Sequence, residues 1–534
     1  MIKMTRHMKK IYILTFIAAL GLVSCEKFLD QNPDNRASID TLEEIDYLLT
    51  SAYSEHSYAT MTELMSDNVD DFHNTQFNKT NRFYDEVFAW KDVTESNNES
   101  PENVWSNYWE TITTANIALE ALEKLGSETD LELRESYGEA YLVRAYGHFV
   151  LVNLFCLPYN AKTSQTDPGI PYRDTPPEGF DVKYERGSVA EVYRRIEEDL
   201  EKGLSLVGDS RYKVPKYHFN VSAAYAFATR FYLFYGKYDR AIECANRVLG
   251  SNPQSVLKDW TYIGGLPTAS NGAVVHGTAY VDSKSSANLL IQTIYSSIYS
   301  FWGPYTTYNR YSHGSYLAST ESITASQPWG SAGWKDGAKT YSGSMDKIIF
   351  WRNPYTFQYT DPVAKTGYAR SILVNFTTDG TLINRAEAYI LKGDYQAACD
   401  DLNLWLHNIS TSTYVFTPDK VKNYFDGLRY STWSTGTMKK RLNPVFMELN
   451  AGDAYQEAMI DLVLHIRRMD NIGSGLRWFD LKRYGITVYR RQIEQTETGF
   501  IPQAASDSLK AGDPRWAMQI PYKVVKAGFE PNPR

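Results

Sequence analysis

Residues 221–253 read VSAAYAFATRFYLFYGKYDRAIECANRVLGSNP, and the spacing inside this stretch decides the fold. Apolar residues recur at helical intervals up to Tyr235, break at Gly236 and resume from Tyr238. The pattern predicts two antiparallel helices: a glycine for the tight turn, alanines where the helices approach, aromatics filling the gaps. Gly393, Tyr395, Ala398, Leu402 and Trp405 repeat the offsets of Gly236, Tyr238, Ala241, Ala245 and Val248. A helix pair that occurs twice implies a solenoid-like helical scaffold.

Gly236, Tyr238, Ala241, Ala245, Val248 and Pro253 stand at the spacing of a tetratricopeptide repeat. Outward from this pair, helical periodicity covers Trp105 to Leu125, Leu131 to Phe155 and Val189 to Leu206, with no run of alternating strands among them. From 259 to 380 the period fades and Gly, Ser, Thr, Pro and aromatics take over. A loop stretch this long inside a compact protein points to function, and its aromatics argue against disorder. A second loop-rich stretch runs from Ile409 to Gly452, and the last 50 residues lack a strong period.

The first residues read as an export signal. Arg6, Lys9 and Lys10 precede thirteen mostly apolar residues from Ile11 to Val23, and Leu22-Val23-Ser24-Cys25 reads as a lipoprotein cleavage site. Thirteen residues rise about 20 Å as a helix, short of a bilayer core of about 30 Å. Cys25 is thus expected as the lipidated first residue of the mature chain. Losing residues 1–24 removes four of the 55 basic residues, leaving 51 against 63 acidic ones and a formal charge of −12. An acidic body excludes nucleic acid as a partner. It leaves the N-terminal lipid as the contact with a membrane.

Five divisions follow: 1–24 signal peptide, 25–35 lipidated tether, 36–258 helical part with tetratricopeptide-like pairs, 259–380 aromatic loop-rich cap, 381–534 C-terminal part with the last repeat. Cys156, Cys244 and Cys399 have no C-x-x-C spacing and are expected as buried small hydrophobes.

The motifs resemble those of the SusD/RagB lipoproteins over most of the chain. Cys25, Phe28, Leu29, Asp30 and Pro33 are similar to that family's mature start, and Glu139 to Pro158 to its E-A-x-x-L-R-A-x-x-x-F helix. Val221 to Val248 resembles its best repeat, Gly475 to Arg483 its G-x-R-W-F-D-L-x-R signature, and Ile520, Pro521, Asn532 and Pro533 its tail. The chain departs where the family carries glutamate before the paired arginines Arg467 and Arg468, having Ile466, and where it carries F-E, having Gly473-Ser474. The resemblance implies a mainly α fold of four tetratricopeptide-like pairs, no cofactor and no catalysis. It implies a place on the outer face of an outer membrane above a SusC-like, TonB-dependent barrel. It also implies capture of oligosaccharide or polysaccharide, the alternatives being a peptide ligand or an envelope interaction scaffold.

The cap carries Tyr295, Tyr299, Phe301, Trp302, Tyr305, Tyr308 and Tyr311 in close succession, then Trp329 and Trp334. Sugar rings stack their C–H faces on such rings, and rigid aromatics lose little entropy in doing so. Trp302, Tyr305, Tyr308, Trp329 and Trp334 are the candidate ligand contacts, with a second, exposed patch expected at Asp67, Asn68, Phe83, Tyr84 and Trp90. The pairs Asp70-Asp71 and Glu197-Glu198 read as solvated charges, since adjacent carboxylates point apart and cannot flank one bond. H-E-x-x-H, G-x-S-x-G and a phosphate-cradling glycine loop do not occur, so the sequence offers no catalytic or metal-ligating set.

Overall fold

The structure, a computed structural model, describes residues 39–73, 80–177, 184–268, 272–299, 309–336, 338–341, 346–497 and 499–534. The signal peptide, Cys25 and the tether lie outside the described residues, as do Phe301, Trp302, Tyr305 and Tyr308.

The expected helices form where the periodicity places them: α1 (Pro101–Leu125), α2 (Arg134–Phe155), α3 (Val189–Leu206), α4 (Val221–Tyr235) and α5 (Tyr238–Leu249). Helix α2 is buried on every side from Ser136 onward, as its nearly continuous apolar and small residues require. The second repeat forms α6 (Thr378–Lys392) and α7 (Tyr395–Ile409). Both repeats are built alike. Asn220 accepts the Ala223 N–H at 3.0 Å to cap α4, and Thr377 accepts the Gly380 N–H at 2.9 Å to cap α6. Gly236 and Gly393 end these helices at φ 80° and 81°, in the left-handed region. Ala241, Ala245, Ala398, Leu402 and Trp405 are buried, as the shared offsets predict.

A Cβ on Gly236 would meet only the Tyr238 hydroxyl, at 4.0 Å, so substitution there is penalised by the backbone and not by crowding. Gly236→Val is therefore expected to lose about 1–2 kcal/mol. The check is a denaturant midpoint, and an unchanged midpoint would contradict the role given to this turn.

Helices α8 (Gln456–Asn471) and α9 (Arg477–Arg483) complete the scaffold. Arg467 of α8 lies between Glu387 of α6 and Asp480 of α9. These carboxylates serve the arginine in a chain that has Ile466 beside it. Burial alone would raise the Glu387 carboxyl, but Arg467 and Arg483 outweigh it and bring it down to about 2.

The cap differs from the loop-rich expectation. Strands β1 (Asn288–Tyr295), β2 (Thr356–Asp361) and β3 (Thr366–Thr377) form an antiparallel sheet in the order β1-β3-β2. The sequence reading missed it because β1 is buried on both faces along most of its length, so NLLIQTIY shows no alternation. Strand β3 runs directly into α6: Thr377 is both its last residue and the cap of the helix. Short strands also pair Val488–Tyr489 with Ser508–Leu509 and Ile493–Thr496 with Gly499–Pro502, so the C-terminal stretch is not plain loop.

Cys156, Cys244 and Cys399 are buried and free, as expected. Burial pushes their thiols up to about 11, 12 and 12. Asp70 and Asp71, expected in solvent, are instead buried and paired with Arg491 and Arg310. Glu197 pairs with Lys237, and Glu198 stays exposed beside Arg194.

Candidate ligand surface

The cap sheet presents one aromatic face. Arg370, central on β3, stands opposite Tyr295 of β1 and Thr356 of β2, and Tyr368 stands opposite Gln358. Alternation along the strands puts Tyr295, Tyr368, Arg370 and Gln358 on the same side. The Arg370 guanidinium lies 3.5 Å from the centre of the Tyr295 ring. Its Nε donates to Gln358 at 2.7 Å and its Nη1 to Glu55 at 2.8 Å. Tyr368 meets Tyr295 edge to face at 5.4 Å and keeps 48 % of its surface in solvent. Around the base of the sheet Tyr355 is 39 % exposed, 4.2 Å from the Tyr299 ring, and Tyr359 on β2 is 55 % exposed.

This arrangement offers an exposed ring whose neighbour is held by a clamped cation, with amide, carboxylate and phenol groups at its edge. Sugar recognition combines these parts: a flat apolar face for the ring, donors and acceptors for its hydroxyls. Because Arg370 is bound on three sides, little side-chain freedom is left for a ligand to remove.

The early segment that the sequence singled out supports the cap from below. The Tyr84 hydroxyl is 2.9 Å from the Ser297 hydroxyl, while Ser296 and Ser297 both donate to Glu99, which also accepts from Thr60. His56 packs on Tyr295 at 5.6 Å. Tyr84 and the start of the aromatic stretch are thus neighbours, although Tyr84 is itself buried.

Most other candidates are structural. Asp67 and Asn68, expected on the surface, are buried: Asp67 receives two bonds from Arg477, at 2.9 and 3.0 Å, and Asn68 receives one from Arg468 at 2.8 Å. Burial alone would raise the Asp67 carboxyl, but Arg468 and Arg477 outweigh it and hold it well below the carboxylate range. Phe83 is fully buried. Trp90 is buried too, its Nε1–H donating to the Met65 carbonyl at 3.0 Å and its ring 3.8 Å from the Arg490 guanidinium. Trp329 is 6 % exposed, packed among Trp334, Trp405, Phe416 and His465. Trp334 is half-buried against Trp405 at 5.8 Å. These two rings fill the space between α7 and the cap, which explains tryptophans among glycines and serines without a ligand.

Tyr355, Tyr359, Tyr368 and Arg370 were not singled out from the sequence. The signal was present: Tyr355-x-Phe357-x-Tyr359 alternates with the period of a strand. Among the described residues no group of three or more His, Cys, Asp and Glu side chains comes together as a metal site, and no helix is long and apolar enough to cross a membrane.

This scaffold of tetratricopeptide-like helix pairs bearing a sheet-built cap is shared with solved SusD-like structures. It matches a SusD superfamily protein from Bacteroides thetaiotaomicron at a TM-score of 0.61 and 17 % identity, over 92 % of this chain and 100 % of the other. A sugar-binding protein, so named provisionally, from Bacteroides vulgatus matches at 0.63 and 17 %, over 93 % and 99 %. A laminarin-binding SusD-like protein matches at 0.52 and 16 %, over 92 % and 97 %. The SusD-like family described as starch-binding and associating with the outer membrane matches residues 27–233. The chain shares the fold of the SusD superfamily structures over nine-tenths of its length. No curated protein matched it.

Proposed function

We propose that this chain is a cell-surface, lipid-anchored glycan-binding protein that captures oligosaccharide or polysaccharide for a SusC-like, TonB-dependent outer-membrane transporter and catalyses no reaction. The observation that carries the reading is the exposed Tyr368 ring beside a Tyr295 fixed by Arg370. The family's description as starch-binding and the laminarin-binding and sugar-binding neighbours of the same fold support it.

Calorimetric titration of residues 26–534 against polysaccharides, oligosaccharides and peptides tests the ligand. Tyr368→Ala is expected to weaken the glycan that binds about tenfold, on the order of 1.4 kcal/mol. Trp302→Ala, run in the same series, tests the contact expected from sequence. Binding of peptides alone would move the reading to a RagB-like peptide carrier, and new reducing ends in the glycan samples would make the chain an enzyme.

The anchor is tested separately. Cys25→Ala is expected to move the protein from the membrane pellet to the soluble fraction, because one thiol carries the whole proposed attachment. A variant that still sediments without detergent would count against lipidation at Cys25.

A further inference from the structure

Beneath the signature helix lies a charged cluster that the aromatic face does not use. Arg477 of α9 and Arg468 of α8, with Lys440 and Arg491, surround three carboxylates. Arg477 meets Asp67 at 2.9 Å, Arg468 meets Glu321 at 3.0 Å, Lys440 meets Glu321 at 2.5 Å, and Arg491 spans Asp70 at 3.0 Å and Glu321 at 3.1 Å. None of these seven side chains is more than 10 % exposed. Glu63 also faces Arg468 and Asp480 also faces Arg477, so these buried cations are matched by carboxylates in a place where an uncompensated charge is costly.

A cavity of about 170 Å³ opens on this cluster, with Lys440, Arg441 and Arg491 in its wall beside Tyr430, Tyr489 and Thr432. Asp67 and Glu321 also reach the wall, but both already face the cations named above. Arg441 is exposed and makes no ion pair among the described residues; it lies over the Tyr430 ring at 4.2 Å, as Lys439 does at 4.7 Å. Two carboxyls stand behind the wall. Glu457 accepts the Tyr430 hydroxyl at 2.9 Å, and Asp461, its carboxyl pushed well up by burial, accepts the Lys440 backbone N–H at 3.1 Å. Arg441 is thus the cation of this wall that no carboxylate pairs with among the described residues.

Forked guanidiniums and an ammonium around phenol and threonine hydroxyls bind oxyanions. The size limits the occupant. The volume equals roughly five or six waters at about 30 Å³ each, and is below the about 300–1,000 Å³ of drug-sized sites. The chain as a whole carries a formal charge of −8, so nothing in its overall field draws an anion here. Arg441, exposed and without an ion pair among the described residues, must do so.

We propose that this cavity binds one acidic sugar unit, through its carboxylate or sulfate group, with Arg441, Lys440 and Arg491 as the anion's partners. The glycan named by class is then an acidic one, and the inference rests on the glycan reading above.

The test is calorimetric titration of residues 26–534 with sodium glucuronate, galactose 6-sulfate, inorganic sulfate and glucose, at ionic strength matched with sodium chloride. Glucuronate or galactose 6-sulfate is expected to give saturable binding, and glucose none. Arg441→Gln, a surface change outside the buried network, is expected to weaken that binding at least fivefold with the melting temperature unchanged. Three results would overturn the proposal: neither acidic sugar saturating, inorganic sulfate binding alone, or Arg441→Gln binding like the parent. Tyr368→Ala measured against the neutral glycans keeps the two readings apart, since its effect there stands whether or not the cavity takes an anion.

Discussion

Asp67→Ala is expected to destabilise the fold by about 3–5 kcal/mol. The substitution leaves Arg477 without the carboxylate that receives its Nε and Nη2, and takes a counter-charge from Arg468 and Lys440 as well. All three cations are almost fully buried. Asp67→Asn, which keeps the shape and part of the hydrogen bonding, should lose less. Urea titration of the three proteins measures this. An Asp67→Ala protein with the parental midpoint and no ligand binding would return Asp67 to the role expected from sequence, that of a ligand contact.

The second large effect is a loss of stability in mild acid. Burial first, and the charge of Arg468 second, push His313 down to about 4 and His465 down to about 3. The Nδ1 of His313 is 2.8 Å from the Asn68 carbonyl and its Nε2 2.7 Å from the Ser322 hydroxyl. The Nε2 of His465 is 2.8 Å from Gln327 Oε1. In the unfolded chain both histidines take up a proton near pH 6.5, while in the folded chain they do not. The unfolded state therefore binds more protons between about 6.5 and these lowered values, and stability falls as pH falls through that window. Each histidine can cost on the order of 3–5 kcal/mol across it. Asp470 works the other way, since burial first raises its carboxyl to about 6 and protonation favours the folded state there. Urea midpoints at pH 7.5, 6, 5 and 4.5 should fall in the parent and fall less steeply in His465→Gln. Equal slopes in the two proteins would remove His465 from this account.

The helices were legible because their signals are local. Gly236 and Gly393 each mark a left-handed turn, and the alanines that follow mark a close approach, all within a few residues of one another. The cap sheet was not, since β1 pairs with a strand about eighty residues further on and its two buried faces conceal the strand period. The aromatic stretch begins at Tyr295, which lies on the cap sheet opposite Arg370. Which rings face solvent was decided by distant partners: Arg370 fixes Tyr295, and α7 covers Trp329. Asp67 looked like a surface residue of an irregular segment for the same reason, its cation Arg477 lying 410 positions away.

The junction at Thr377 decides how binding would be felt. One residue ends the central strand of the cap and caps the first helix of the second repeat, so the sheet cannot peel away without uncovering the N–H groups that begin α6. Cap and scaffold are thereby expected to unfold as one cooperative unit, with matching hydrogen-exchange protection in β3 and α6. A sugar gripped at Tyr368 would then stabilise the tetratricopeptide-like repeats as much as the sheet it touches. At a hundred times its dissociation constant it would add about 2.7 kcal/mol to the whole molecule.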